Sequence, residues 1–256
     1  MLAKDRRDQI KDILDTQQTV LVKNLATKLN VTMETIRSDL DYLSMKNFGI
    51  IKVHGGAYKI NTFDKSIPIQ LREQVMVKEK ELLAKIALSF INDGDILMLD
   101  SSSTNFCLAK ELTIKQLKTT VITNSLSIIN LLSNNPLIKL ICLGGSLTSN
   151  SNSFRGNITI ESISKLHCDK AFVSPTALSM DFGISHDNEF AAEINRKMIE
   201  NSDSVFLIVD HTKFGKSSLT KIADFDKIDY ILSNKKPNKD WTSFIKNKEI
   251  HLKCSL

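Results

Sequence analysis

The sequence predicts an α/β protein in two unequal parts: a small helical domain over residues 1–60 that closes on a β-ribbon, a connector over 61–77, and a larger α/β domain with a mostly parallel sheet over 78–256. Three observations carry this. Apolar residues recur at helical spacing three times in the first 45 residues and then switch to alternation. Beyond residue 78, short continuous apolar runs, typical of strands buried on both faces, alternate with stretches of helix length. A chain of 256 residues, 42% hydrophobic and 25% charged, has the length for one large or two unequal domains and the composition of a globular protein with real cores.

Composition also excludes. No apolar run approaches the ~20 residues of a membrane span. The N-terminus, "MLAKDRRDQIKD", is charged from its fourth residue and has no apolar core, so secretion is not expected. Cys107, Cys142, Cys168 and Cys254 form no C-x-x-C pair and read as reduced thiols of a cytoplasmic protein. His54, His167, His186, His211 and His251 show no ligand spacing, so neither a metal nor a cofactor is expected. The net charge of +5 is mild, and residues 1–60 hold ten Lys and Arg against seven Asp and Glu, an excess too small to decide for nucleic acid by itself.

In the N-terminal part, Ile10, Ile13 and Leu14 mark one helix, and Leu21, Leu25, Ala26 and Leu29 give a second its apolar face. The link "NVT" is short enough to force a sharp turn, with Val31 free to fold inward. Thr32 is placed to cap a third helix, accepting from a free backbone N–H of its first turn. On that helix Ile36, Leu40 and Leu43 face inward, which leaves Glu34, Arg37, Ser38 and Asp41 outward. Two helices joined by a short turn, the second with a polar outer face, form the helix-turn-helix arrangement, in which the second helix enters the DNA major groove. In "GIIKVHGGAY", Ile51 and Val53 alternate with Lys52 and His54, predicting a wing strand with one buried face and one basic face toward phosphates. Gly55 and Gly56 allow the chain to reverse. Periodicity alone fits a three-helix cap with a solvated charged face equally well.

The motifs separate the two. "VTMETIRSDL" followed by "KVHGGAY" resembles the DNA-binding domain of the DeoR family of bacterial transcriptional regulators, whose "V-S-x-x-T-I-R-R-D-L" recognition helix precedes a wing ending in "H-G-G-A". The resemblance runs in order from Arg6 to Tyr58 and implies DNA contacts from Thr32, Glu34, Thr35, Arg37, Ser38, Lys52 and His54. Ser38 stands where the family usually has a second arginine, which removes a possible bidentate contact.

Further on, "KINTFDKSIPIQLREQVMV" has Pro68, mixed polarity and no clean period, and reads as the connector. "KEKELLAKIALSFI", 78–91, reads as a helix. Strands are predicted at 95–100, 119–124, 137–145, 169–175, 204–210 and 227–233, with helices over Asn105–Leu112, in "SLSIINLLSN" and over Asn188–Asn201. This βαβ alternation implies a doubly wound sheet. In such sheets ligands lie beyond the carboxyl ends of the strands. Those ends carry "DSSST", "TNS", "GGS", "SPTALS" and "DHTKFG". Ser103 and Thr104 open a helix, where free N–H groups and the dipole favour an anion, and Asn124 and Ser125 repeat the arrangement. Gly144 and Gly145 permit close backbone approach, Lys213 offers a point charge to a phosphate, and Asp100 and Asp210 can accept from sugar hydroxyls. Each residue alone also fits a cap or a turn; the convergence of five loops on one edge points to a ligand.

Here the chain again resembles the DeoR family, whose sensor domain shows "L-D-x-G-[ST]-T", "T-N-S", "G-G" and "D-x-[ST]-K-F-G" where this sequence reads "LDSSST", "TNS", "GG" and "DHTKFG". Together the two resemblances span Arg6 to Asn234. They imply a sensor domain similar to ribose-5-phosphate isomerase, a phosphorylated sugar as effector, operator DNA as partner, a homodimer or homotetramer, no membrane, and repression of a carbohydrate-catabolic operon. Effector contacts are implied for Asp100, Ser102, Ser103, Thr104, Asn124, Ser125, Gly144, Gly145, Asp210 and Lys213. Ser102 replaces the usual glycine of the first loop, and Pro175 and Ala177 replace glycines of the fourth, so the added Cβ atoms are expected to narrow the pocket. The alternative is a sugar-phosphate isomerase or deaminase with a DNA-binding appendage. Asp181 and Glu189 are its candidate carboxylates, but neither lies in the "D-G-A-D-E" pattern of those isomerases, and no enzyme is expected.

Overall fold

The computed structural model describes residues 2–17, 19–45, 50–53, 55–59, 68–74 and 76–255. They fall into two compact units, residues 1–76 and 77–256.

The first unit comprises α1 (Ala3–Gln17), β1 (Thr19–Leu21), α2 (Val22–Leu29), α3 (Met33–Met45), β2 (Ile50–Val53), β3 (Gly56–Lys59) and α4 (Ile69–Arg72). Ile10, Leu14, Leu25, Ile36, Leu40 and Leu43 form its core, so the helical stripes read from the sequence face each other. Leu21 is a correction: it lies in β1, not in the second helix, because Thr19–Leu21 pairs with Gly56–Tyr58 to complete a three-stranded sheet of order β1-β3-β2. The pairing also supplies the missing helix cap, since Val22 N–H, opening α2, donates to the Gly55 carbonyl at 2.9 Å. Gly56 is required by close approach: a Cβ there would stand 2.2 Å from the Val20 carbonyl oxygen and 2.6 Å from Leu71 Cδ2. Leu71 belongs to α4, inside the stretch read as a connector, and is buried at 1% exposure.

A buried carboxylate ties α3 to α1. Asp39 is 1% exposed; Arg6 Nε donates to its Oδ2 at 2.5 Å and Arg7 Nε to its Oδ1 at 2.8 Å. Arg7 also lies over the Tyr42 ring, 3.8 Å from its centroid. Two guanidiniums that a charge count assigns to a DNA surface are thus committed inside the domain.

The second unit comprises α5 (Val77–Leu88), β4 (Ile96–Leu99), α6 (Ser103–Lys115), β5 (Thr119–Thr123), α7 (Leu126–Leu132), β6 (Ile138–Cys142), β7 (Ser146–Thr148), β8 (Ser153–Arg155), α8 (Asn157–Ser164), β9 (Cys168–Val173), β10 (Ala177–Ser179), β11 (Gly183–His186), α9 (Glu189–Glu200), β12 (Ser202–Val209), β13 (Thr220–Ala223), β14 (Tyr230–Ser233), α10 (Lys239–Asn247) and β15 (His251–Cys254). Seven strands form one parallel sheet of order β15-β14-β12-β9-β4-β5-β6. Alternation divides its faces. Leu97, Leu99, Val121, Phe172 and Phe206 pack with α5, α6 and α7. Met98, Ile122 and Ala171 pack with α8 and α9 on the other face, and Leu207, Val209 and Ile231 with α9 and α10. The strand order reverses between β4 and β9, so the chain leaves these neighbours toward opposite faces and opens a crevice at their carboxyl ends.

Two outcomes are expected. Asp39→Ala leaves two partly buried guanidiniums uncompensated and should destabilise the first unit by about 3 kcal/mol, read from urea unfolding of the full chain by far-UV dichroism. Burial raises the Cys168 thiol from its ordinary value of 9.0 to about 12, whereas Cys142 is exposed. A thiol pKa raised on folding contributes stability that is full below about 9 and declines as pH climbs toward 12. Near neutral pH, alkylation should therefore modify Cys142 in the native chain and reach Cys168 only after denaturation, as peptide mass spectrometry would show.

Candidate functional site

On the DNA-reading side the structure brings most of the expected residues to one surface. Thr32 Oγ1 accepts from Thr35 N–H at 3.2 Å and shares a 2.9 Å hydrogen bond with Thr35 Oγ1, which caps α3 and holds its first turn. Arg37 Nη1 donates to Glu34 Oε2 at 2.9 Å; both side chains are exposed, as is Ser38. Glu34, Arg37 and Ser38 are thus exposed on α3, which is tied to α1 through the buried Asp39, while Thr32 and Thr35 form its N-terminal cap.

Lys52 departs from expectation. Ile50, not Ile51, is the buried residue of β2, at 6% against 36% exposure. The strand sits one residue out of the expected alternation, which turns Lys52 toward α3, where Nζ donates to Asp41 Oδ1 at 2.5 Å. A phosphate contact from Lys52 has to compete with that pair. His54 lies outside the described residues.

In the second unit the crevice between β4 and β9 is organised by Asp100, at the end of β4 and only 3% exposed. Oδ1 accepts from Ser102 N–H at 2.9 Å and Asn105 Nδ2 at 2.7 Å, and Oδ2 accepts from Ser174 N–H at 2.7 Å. Asn105 Nδ2 also donates to the Phe172 carbonyl at 2.7 Å. Asp100 thus joins the first turn of α6 to the loop after β9 as a brace, with both carboxylate oxygens already accepting from the protein. Ser102 takes φ −74° and ψ 152°, a conformation open to any residue, and its Oγ caps α6 by accepting from Asn105 N–H at 3.1 Å. The serine that replaces the usual glycine thus serves as the cap of α6. Ser103 and Thr104 are buried in the first turn, and Ser174 Oγ donates to Thr104 Oγ1 at 3.3 Å.

At the next strand, Ser125 caps α7 by accepting from Ile128 N–H at 3.3 Å, and α7 is only seven residues long. The second anion site expected there reduces to Asn124, 1% exposed, whose Nδ2 donates to the Phe154 carbonyl at 2.9 Å. Asn124 Oδ1 and Asn105 Oδ1 are both buried and meet no donor among the described residues. Gly145 has φ +140°, and a Cβ would stand 2.3 Å from Thr159 Oγ1 and 2.7 Å from the Arg155 carbonyl oxygen. Its close neighbour is the protein's own β8–α8 corner; Gly144, whose carbonyl accepts from Thr159 Oγ1 at 2.6 Å, has open space where its Cβ would be. Asp210, at the end of β12, accepts from Thr212 N–H at 2.8 Å and is 7% exposed, while Lys213 is half-buried on the same loop.

The sequence reading missed Asn105, Ser174 and the β7–β8 arm that runs along Asn124. An asparagine three residues after the cap in "SSSTN" was the available signal for the first; the arm's pairing, Ser125 with Ser153, is long-range and left no local mark.

Comparison with known proteins agrees with both halves. Residues 6–63 match the family model of the DeoR-like helix-turn-helix domain, and residues 75–235 match that of the DeoR C terminal sensor domain. Similar curated proteins include the uncharacterized HTH-type transcriptional regulator YulB of Bacillus subtilis, 33% identical and covering 91% of this chain and 90% of its own length. The HTH-type transcriptional regulator GolR of Listeria innocua is 33% identical over 93% of each chain. The HTH-type transcriptional repressor GlcR of Bacillus subtilis is 31% identical over 98% of this chain and 96% of its own. Among solved structures, ribose 5-phosphate isomerase A from Methanocaldococcus jannaschii aligns over 53% of each chain at 18% identity and a TM-score of 0.39, too distant a likeness to bear on function. Two family models cover nearly the whole chain in order, with relatives at one-third identity along their full length, and the chain belongs to the DeoR family of transcriptional regulators.

Proposed function

We propose that this regulator represses a carbohydrate-catabolic operon and that a phosphorylated sugar, bound at the carboxyl edge of the parallel sheet, changes its affinity for operator DNA. The observation that carries the effector half is the crevice between β4 and β9. It is flanked by the thirteen-residue α6, whose first turn offers N–H groups and a positive dipole end to an anion, and by the buried Asn124 and Asn105 oxygens that meet no donor among the described residues and suit hydroxyl groups. The name of GlcR as a repressor supports the sign of the regulation.

On the DNA side, α3 enters the major groove with Arg37 as its principal base or phosphate contact, pre-oriented by Glu34. A two-fold dimer presents two such helices to half-sites roughly 34 Å apart, or a multiple of that spacing. Because effector and operator act on one equilibrium, each alters the affinity for the other by the same factor. The domains follow as a winged helix-turn-helix over the first sixty residues and a sensor over 78–256, working in the cytoplasm.

Fluorescence anisotropy on DNA from upstream of the chain's own operon tests both halves. Arg37→Ala should weaken operator binding about tenfold or more without lowering the melting temperature, while Lys52→Ala, already paired with Asp41, should cost less. Binding should weaken steeply with salt and shift with one member of a panel of sugar phosphates. Operator affinity unchanged in Arg37→Ala would remove α3 from the groove; indifference to every sugar phosphate would remove the effector half.

A further inference from the structure

Two unmet chemical demands adjoin one backbone pairing, that of Asn124 with Phe154. The first is Asn124 Oδ1, a buried acceptor without a donor among the described residues. The second is Arg155. Phe154 is bonded to Asn124 twice, through its N–H to the Asn124 carbonyl at 2.9 Å and through its own carbonyl to Asn124 Nδ2 at 2.9 Å, which sets Arg155 beside that side chain. Arg155 is half-buried, and no carboxylate among the described residues pairs with it. What holds it is Phe190, with Cζ 4.7 Å from the ring centroid. Arg6, Arg7 and Arg37 each meet a carboxylate. A partly desolvated guanidinium stacked on a ring, with its five donors uncommitted, is preorganised to receive an oxyanion.

Its position relative to α6 adds the second step. Phe190 lies in the first turn of α9, just after the cap Asn188, and therefore at the carboxyl edge of the sheet. α9 and α8 cover one face of the sheet and α6 the other. The Arg155–Phe190 stack and the α6 N-terminus thus approach the crevice from opposite faces, with Asn124 and the Asp100 brace between them. We propose that Arg155 is an effector-binding residue that takes a second anionic group, and that the effector is accordingly a polyol bearing two separated oxyanions, a bisphosphate or a phosphorylated sugar acid. One group lies at the α6 N-terminus, the other on Arg155, and a hydroxyl between them donates to Asn124 Oδ1. This rests on the sugar-phosphate reading of the same crevice.

Calorimetric titration of the full-length chain with glucose 6-phosphate, 6-phosphogluconate and fructose 1,6-bisphosphate tests it. The native protein should bind at least one of the two doubly anionic probes about tenfold more tightly than glucose 6-phosphate, the worth of one charge-assisted pair. Arg155→Ala should erase that preference, and Arg155→Lys, which keeps the charge but loses the planar fork, should restore part of it; the melting temperature of each variant establishes that it folds. Equal affinity of the native chain for all three probes, or an undiminished preference in Arg155→Ala, overturns the proposal and leaves the sugar-phosphate reading standing. Failure of all three probes to bind overturns both.

Discussion

Asp100 ties together the two segments that leave the sensor domain's parallel sheet where its strand order reverses. At the point where strand order reverses, β4 and β9 stay paired up to Leu99 and Phe172, and beyond that register the backbone leaves β4 toward one face and β9 toward the other. The Asp100 carboxylate joins the two exits by accepting from Ser102 on one side and Ser174 on the other, with Asn105 as a further tie to Phe172. A carboxylate with three donors in a nearly closed setting is rigid, and this rigidity gives the polar groups above it defined positions.

The same device recurs in the DNA-reading unit. There Asp39 receives two guanidiniums from α1 and sets how α3 presents its outer face. In both units a buried acid is engaged by the protein's own donors. Net charge is a poor guide here, because Arg6, Arg7 and Lys52 are committed internally.

Much of this architecture is legible in local pattern. Helical periodicity locates α1 and α3, continuous apolar runs locate all strands of the parallel sheet but β15, and the motif "VTMETIRSDL" marks the helix that resembles the family's recognition helix. The misplacements share one cause. Leu21 fits a helical stripe but pairs with Gly56 as a strand, Lys52 fits an outward alternation but follows Ile50 inward, and Leu71 lies in a segment without period yet fills the space beside Gly56. Each was decided by a partner distant in sequence, and local spacing carries no information about such partners.

For the sites the division is similar. The sequence by itself determined which loops gather at the carboxyl edge, since strand ends and helix starts follow from the βαβ alternation, and which helix carries the motif resembling the family's recognition helix, whose outer residues follow from the 3.6-residue repeat. Tertiary structure alone decided which polar residues remain available. Whether Asp100 is a brace or a ligand contact, whether Gly145 makes room for a ligand or for Thr159, and whether Arg155 has a counter-charge depend on hydrogen bonds between segments far apart in the chain. A side chain's chemistry is written in its own residue type, but its unmet valence is a property of everything packed around it.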